Sequence, residues 1–385
     1  MDLNIGRAYI LAASMLMSFL VPYQTAFAED SDYIVGGNQD MSGPLAYIGT
    51  GLATGARAYF DAVNAKGGIN GHKIRYIPLD HRNDTAAGIA NVKSLVQSSN
   101  AIAIIGFDSS VIVDAALSEV ERSKVVSLVQ GASPASLKGR WTFSSAAYIA
   151  DEAAPMIALV AQKSSTPKPN VGILVQQSAV LAAWLADAQK RLAEKGWPIV
   201  ASQSVLLGAT DVNAQVSAIA REKPDVVFST MSGPKIPLAV AGLRKFGYEG
   251  IIIGHTPAAD VPSLKAANDP NFFVMREMAF ADDPGANVKT MVEDIRRVGA
   301  DPDAAWLING YVQGMIVGEG LKRCGWPCTS EKLRTALESG PLTGLEGITF
   351  SSIDYTPTNH KGISKVRFYR WDGKKPEAVS GDIEY

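Results

Sequence analysis

Apolar residues along this chain fall into two alternating patterns, short unbroken runs and longer stretches that repeat every three to four positions. "YIVGGNQ" from Tyr33 reads as a strand, and "GLATGARAYFDAVNAK" as a helix with Ala56, Tyr59, Phe60 and Val63 on one face. Gly67 and Gly68 stop that helix, Asn70-Gly71 turns the chain, and "KIRYIPLD" follows as a strand that Pro78 is expected to end. "DTAAGIANVKSLVQ" is a helix, "AIAIIGF" a strand buried on both faces, 110–121 a helix and "KVVSLVQ" a strand. Unbroken apolar strands between amphipathic helices predict a parallel βαβ series.

After Trp141 the rhythm restarts. "DEAAPMIALVAQK" is helical and "SSTPKP" a surface turn; "NVGILVQQ" is a strand and "VLAAWLADAQKRLAEK" a long helix. "DVVFST", "PLAVAGLRKFG" and "GIIIGHT" continue the series, which predicts a second αβ lobe without a sequence repeat beneath it. Residues 287–340 are mostly helical, notably "DAAWLINGYVQGMIVGEGLKR", in which Trp306 is expected in the core, as is Trp184 earlier. The tail returns to strand-like "GITFSS" and "SKVRFYRW". One lobe with a dozen strands is a poorer fit than two lobes.

At 385 residues, with 47% hydrophobic and 19% charged residues, the chain is a folded protein long enough for two domains or one large one. A formal net charge of -2 leaves no basic field for nucleic acid. The first 28 residues read as a signal peptide: Arg7, the apolar run "AYILAASMLMSFLV", and Ala26-Phe27-Ala28 before Glu29. The apolar run is short for a membrane anchor, and no cysteine follows the cleavage site to carry a lipid. Export to the periplasm is expected, and there Cys324 and Cys328 in "KRCGWPCTS" are expected to pair across Gly325 and Pro327.

Three loops at expected strand carboxyl ends carry the candidate chemistry: "DMSGPLAYIG", "GFDSSV" and "QGASPASL". Their glycines, hydroxyls and helix N-termini suit an anionic oxygen, while the plainer reading makes Ser42, Ser109, Ser110 and Ser133 helix caps. Catalytic signatures are missing: there is no dinucleotide fingerprint, phosphate loop or GxSxG elbow. His72, His81, His255 and His360 have no metal spacing, so neither metal nor cofactor is expected. For His81 and Asp80 in "LDHRNDT", a site role and a polar surface loop are both open.

The run "MSGPLAYIGTGLATGARAYFDAVNAKGGINGHKIRYIPLD" resembles the opening of the periplasmic solute-binding proteins for branched-chain amino acids, and "GASPASL" and "FSSIDYTPTNHKG" extend the likeness over the mature chain. The resemblance implies the type I fold of two Rossmann-like lobes, parallel sheets flanked by helices, joined by three crossovers. Partly on this ground, lobe one is expected at 31–147 plus 281–345 and lobe two at 148–280 plus 346–385. It implies that Ser109, or Ser110, holds a ligand carboxylate and that Gly131, Ala132 and Ser133 contact the head group. Ile48 stands where such proteins often carry an aromatic, with Tyr47 one place earlier. Gln177 and Ser178 stand at the second-lobe loop in place of the usual Tyr-Gly pair. Asp260, with Glu277 behind it, is the nearest acid for a ligand ammonium. The implied role is non-catalytic: taking a small amino acid, carboxylate or amide to the membrane subunits of an ATP-driven permease; a monomer is the default expectation. The alternative is a ligand-sensing module for a membrane or regulatory partner.

Overall fold

The strand–helix alternation is realised twice in the computed structural model, which describes residues 32–385. The segment expected to be a signal peptide, with its cleavage site before Glu29, lies outside the described residues. In the first series β1 (Tyr33–Gln39) leads to α1 (Ala46–Ala65), β2 (Ile74–Asp80) to α2 (Thr85–Gln97), and β3 (Ala103–Phe107) to α3 (Ser110–Ser123). β4 (Val126–Val129) and β5 (Thr142–Ser144) complete it. α4 (Ala153–Lys163) opens the second series, followed by β6 (Val171–Gln176), α5 (Ala179–Lys195), β7 (Ile199–Val205) and α6 (Asn213–Arg221). Then come β8 (Val226–Ser229), α7 (Lys235–Lys245), β9 (Ile251–Gly254), α8 (Val261–Ala267) and β10 (Phe272–Arg276). Three helices follow, α9 (Ala286–Arg297), α10 (Leu307–Cys324) and α11 (Ser330–Leu337), before β11 (Lys365–Trp371), β12 (Pro376–Ala378) and β13 (Ile383–Glu384).

Among the described residues the strands form two sheets. The first is parallel in the order β2-β1-β3-β4-β5; the second runs β12-β11-β10-β9-β8-β6-β7, with β13 beside β11. Strands β6 to β10 are parallel, and β11 joins β10 antiparallel, Arg276 opposite Arg367. The chain therefore passes out of the first sheet after Ser144, leaves the second after Arg276 and re-enters it at Lys365, the three crossovers of a type I periplasmic binding fold. Central strands β3, β4, β6 and β8 are buried along their whole length, as their unbroken apolar runs require.

Two expectations about elements are corrected. Pro78 does not end its strand: β2 runs on to Asp80, with Pro78 opposite Gly37. As β2 is an edge strand, a missing N–H there breaks no inner ladder. "GITFSS" forms no strand; Thr349 makes only isolated bridges to Met278 and Glu346.

Helix α1 ends as its glycines indicate, with left-handed backbone at Gly67, Gly68, Asn70 and Gly71. Asn64 then ties helix to strand: its Nδ2 donates to the Ile74 carbonyl and its Oδ1 accepts the Ile74 N–H, both at 2.8 Å. α10 packs on α1 through small residues. A Cβ on Gly55 would lie 1.9 Å from the Leu307 carbonyl oxygen, and one on Gly310 would lie 2.1 Å from that of Leu52. The two backbones touch, so any side chain at either place would push the helices apart. Beyond α10, Cys324 and Cys328 are bonded sulfur to sulfur, with Cα atoms 5.7 Å apart.

Candidate functional site

The carboxyl ends of both sheets open on one cavity of about 140 Å³. Leu45, Tyr47 and Ile48 reach it from the start of α1, Ser109, Ser110 and Val111 from the start of α3, and Gln130 and Gly131 from the end of β4. The opposite wall is Gln176, Ser178, Val180 and Leu181 around β6 and α5, Thr230 and Ser232 after β8, and His255, Thr256 and Pro257 after β9. The lining is mostly apolar with a few converging polar groups, the usual make-up of a small-molecule site.

A bulge at the end of β3 sets the loop that carries Ser109. Gly106 has φ +85°, and the amide of Gln39 fills the place a side chain would take, 2.1 Å from an added Cβ. The following Asp108 turns its side chain wholly inward. Its Oδ2 accepts the Asp40 N–H at 2.8 Å, and its Oδ1 lies 3.1 Å from Nε2 of the fully buried His81. His81 Nδ1 accepts the Asn83 N–H at 3.0 Å, so the ring proton sits on Nε2 and is donated to Asp108. Burial pushes the Asp108 carboxyl up, against the opposing pull of the His81 bond. These bonds tie together the loops after β1, β2 and β3. His81 is thus a structural strut.

Ser109 occupies the N-cap position of α3, yet its side chain makes no capping bond and no hydrogen bond to any described residue. Its hydroxyl is left for the cavity, beside a helix start whose first N–H groups have no acceptor within the helix. Ser110, Gly131, Tyr47, Ile48 and Ser178 also line the cavity. Ser178 Oγ caps α5 by accepting the Leu181 N–H at 3.2 Å. Tyr47 spans the cleft: a Cβ on Gly233 would come 3.0 Å from its hydroxyl oxygen. Burial pushes the Tyr47 phenol up.

Five expected positions stand elsewhere. Ala132 is packed in the core. Ser133 Oγ donates to Asp114 and accepts the Ser136 N–H at 3.0 Å, while Ser136 Oγ accepts the Ser133 N–H at 2.8 Å, a reciprocal cap of the short 3-10 turn at Ser136–Lys138. Gln177 is exposed and donates to Ser204 Oγ at 3.1 Å; strand alternation points Gln176 into the cavity instead. Asp260 caps α8, its Oδ1 accepting the Ser263 N–H at 2.8 Å and its Oδ2 the Ser263 hydroxyl at 2.7 Å. Glu277 is buried, with Asn309 Nδ2 donating to it at 3.4 Å.

Trp306, expected in the core, precedes the first residue of α10 with φ +66°, and its ring borders the cavity with Nε1 lacking a partner among the described residues. Gln130 and His255 were not marked in the sequence as site residues. Gln130 Oε1 is buried without a partner. Both His255 ring nitrogens lack a hydrogen-bond partner of acceptable geometry; Glu152 is 3.8 Å from Nδ1 and the Met231 backbone flanks the ring. Burial lowers the His255 pKa to about 3, so the imidazole is neutral.

Behind His255, Glu152 is fully buried at the start of α4; its Oε1 accepts the Thr256 hydroxyl and its Oε2 the Thr256 N–H at 3.3 Å. Burial raises its pKa well above the ordinary carboxyl range, and nearby Glu277 and Asp151 add to this. A raised folded-state pKa gives stability that is full below the unfolded value and is lost as pH rises towards the folded one. Glu152→Gln is therefore expected to match the wild type in thermal melts at pH 4 and to exceed it increasingly above. The gain is at most about 1.4 kcal/mol per pH unit. A constant difference across pH would refute a proton held by Glu152.

A periplasmic binding protein family model matches residues 33–376. The Leu/Ile/Val-binding protein of Escherichia coli K12 is 24% identical over 367 residues, which span 92% of this chain and 97% of that protein. A branched-chain amino acid ABC transporter protein from Thermus thermophilus, solved with bound valine, superposes with TM-score 0.82 at 15% identity, covering 92% of this chain and 97% of that one. A fatty acid ABC transporter substrate-binding protein from Thermomonospora curvata superposes with TM-score 0.78 at 20% identity, covering 93% of each chain. Sequence match and two-sheet architecture agree, and the chain belongs to the periplasmic binding protein family.

Proposed function

We propose that the protein binds a small organic solute between its two sheets and delivers it, without chemical turnover, to an ATP-driven permease. The observation that carries this reading is the cavity itself, walled by both sheets and lined by Gln130, His255 and Trp306, whose buried polar atoms lack a hydrogen-bond partner among the described residues. Unpaired buried polar atoms are costly, and a ligand that pairs them recovers that cost. The names of the relatives, which include binders of branched-chain amino acids and of fatty acids, support uptake of an apolar solute. In this reading Ser109 holds the ligand's acidic or carbonyl oxygen, Ser110 and Gly131 flank it, and Tyr47, Ile48 and Ser178 close the pocket. The lobes divide at 31–147 plus 281–345 and 148–280 plus 346–385, which fits the packing of α10 on α1. They close by hinge motion on the solute.

Native mass spectrometry of protein purified from the periplasm is expected to find one retained small molecule per chain, released on denaturation. A thermal-shift screen over amino acids, aromatic acids, amides and small diacids should then yield a stabilising class. No retained mass and no shift would overturn the reading.

The leader 1–28 is removed on export, and Cys324 and Cys328 are bridged in the oxidising periplasm. The intact mass of the exported chain is expected to begin at Glu29 and to lie two hydrogens below the reduced value. Alkylation of both thiols without reductant would refute the bridge.

A further inference from the structure

The wall groups restrict the solute further, provided the cleft is a solute site as proposed above. None of the acids around it offers a free carboxylate to the cavity. The Asp108 side chain is 0% exposed, and its oxygens are taken by His81 and the Asp40 N–H. The Glu152 side chain is also 0% exposed and is bonded to Thr256. Asp260 is occupied by Ser263, and Glu277 is buried against Asn309, neither lining the cavity. An ammonium brought into this space would lack the counter-charge that a desolvated cation needs.

The opposite sign is served. The unengaged Ser109 hydroxyl stands at the N-terminus of the 14-residue α3, where exposed N–H groups favour an anion. Independent of that helix end, the wall from the second sheet holds His255, 2% exposed, whose ring nitrogens make no well-formed hydrogen bond among the described residues, with Glu152 3.8 Å away and the Met231 backbone alongside. A neutral imidazole offers one donor and one acceptor, which is what a hydroxyl group pairs with. Gln130, 8% exposed with Oε1 unpaired, adds a further acceptor. Tyr47, Ile48, Ile149, Val180, Leu181 and Pro257 supply apolar lining. The space of about 140 Å³ has room for one ring, an apolar cavity of about 150 Å³ being known to take benzene, and it adjoins a wider space of about 580 Å³ that shares Leu45, Tyr47, Gln176, Leu207 and Ser232.

We infer that the solute is a ring-sized carboxylate that carries a hydroxyl and no ammonium, its carboxylate at the start of α3 and its hydroxyl at His255. The probes are 3- and 4-hydroxybenzoate, benzoate, L-tyrosine and L-leucine, titrated calorimetrically into the full exported chain. One hydroxybenzoate isomer is expected to bind three- to tenfold more tightly than benzoate, the worth of one neutral hydrogen bond, and both amino acids at least a hundredfold more weakly. His255→Phe should erase the hydroxybenzoate advantage while keeping benzoate binding, a comparison that also shows the variant is folded. Leucine or tyrosine binding as tightly as the hydroxybenzoates would overturn the ligand class and leave solute binding intact. Equal affinity of benzoate and both isomers, or an advantage that survives in His255→Phe, would overturn the role of His255. Binding of no probe overturns the inference; coupled with no retained solute in the mass spectrum, it overturns the uptake reading as well.

Discussion

Ser109→Ala is expected to weaken binding of the protein's solute ten- to a hundredfold while leaving the melting temperature of the empty protein nearly unchanged. The two halves of this expectation rest on one observation: the hydroxyl sits at a helix N-cap without capping it. A hydrogen bond from a buried hydroxyl to a charged oxygen is worth roughly 1.5 to 3 kcal/mol, which is the stated loss in affinity. A working cap would instead cost about 1 kcal/mol of stability. Ser133→Ala should show the reverse pattern, because its Oγ caps a turn and bonds Asp114, away from the cavity. Calorimetric titration with thermal melts of both variants separates the two roles. Unchanged affinity in Ser109→Ala would remove it from the ligand's contacts and pass the role to Ser110.

The second large effect lies in the packing of α1 on α10. Gly55→Ala is expected to lose about 3 kcal/mol, the upper part of the range for overpacking, since the added carbon meets the backbone of α10 and no side chain can swing aside. The carbonyl of Leu307, at 1.9 Å, can be relieved only by moving the whole helix. Gly310→Ala meets the Leu52 carbonyl from the other side and should behave alike. Gly381→Ala, with open space around the new carbon, is the neutral control. Urea unfolding measures all three; a Gly55→Ala protein as stable as the control would mean that the helices separate freely.

The architecture was legible because its signal is periodic. Unbroken apolar runs such as "AIAIIGF" and "DVVFST" are what parallel strands covered on both faces require, and both became buried strands. Turn chemistry was equally local, as the end of α1 illustrates. Pro78 misled because its tolerance depends on β2 lying at a sheet edge, a property of strand order that no local window contains. The site was legible only in part for a related reason. Loops at strand ends could be located, but which side chain faces the cavity depends on a bulge at β3, on the phase of β6 and on a reciprocal serine cap. Ser109 and Ser178 thus line the cleft while Ser133 and Gln177 do not. His255 and Trp306 carried no motif; their importance arises from burial without partners, which exists only after folding.

The antiparallel strand β11 sits beside β10 although 88 residues separate Arg276 from Lys365 in the numbering. During synthesis, then, strands β6 to β10 exist long before the strand that covers the outer edge of β10. Such long-range pairing slows folding, and an uncovered strand edge invites pairing with another chain. The second sheet cannot reach its native form until Lys365–Trp371 has emerged. A chain halted before Lys365 would present an open edge at β10, with buried Phe272, Phe273 and Val274 beside it. The topology thereby leaves one half of the molecule incomplete until β11 is made, and gives that strand the task of covering the edge of β10.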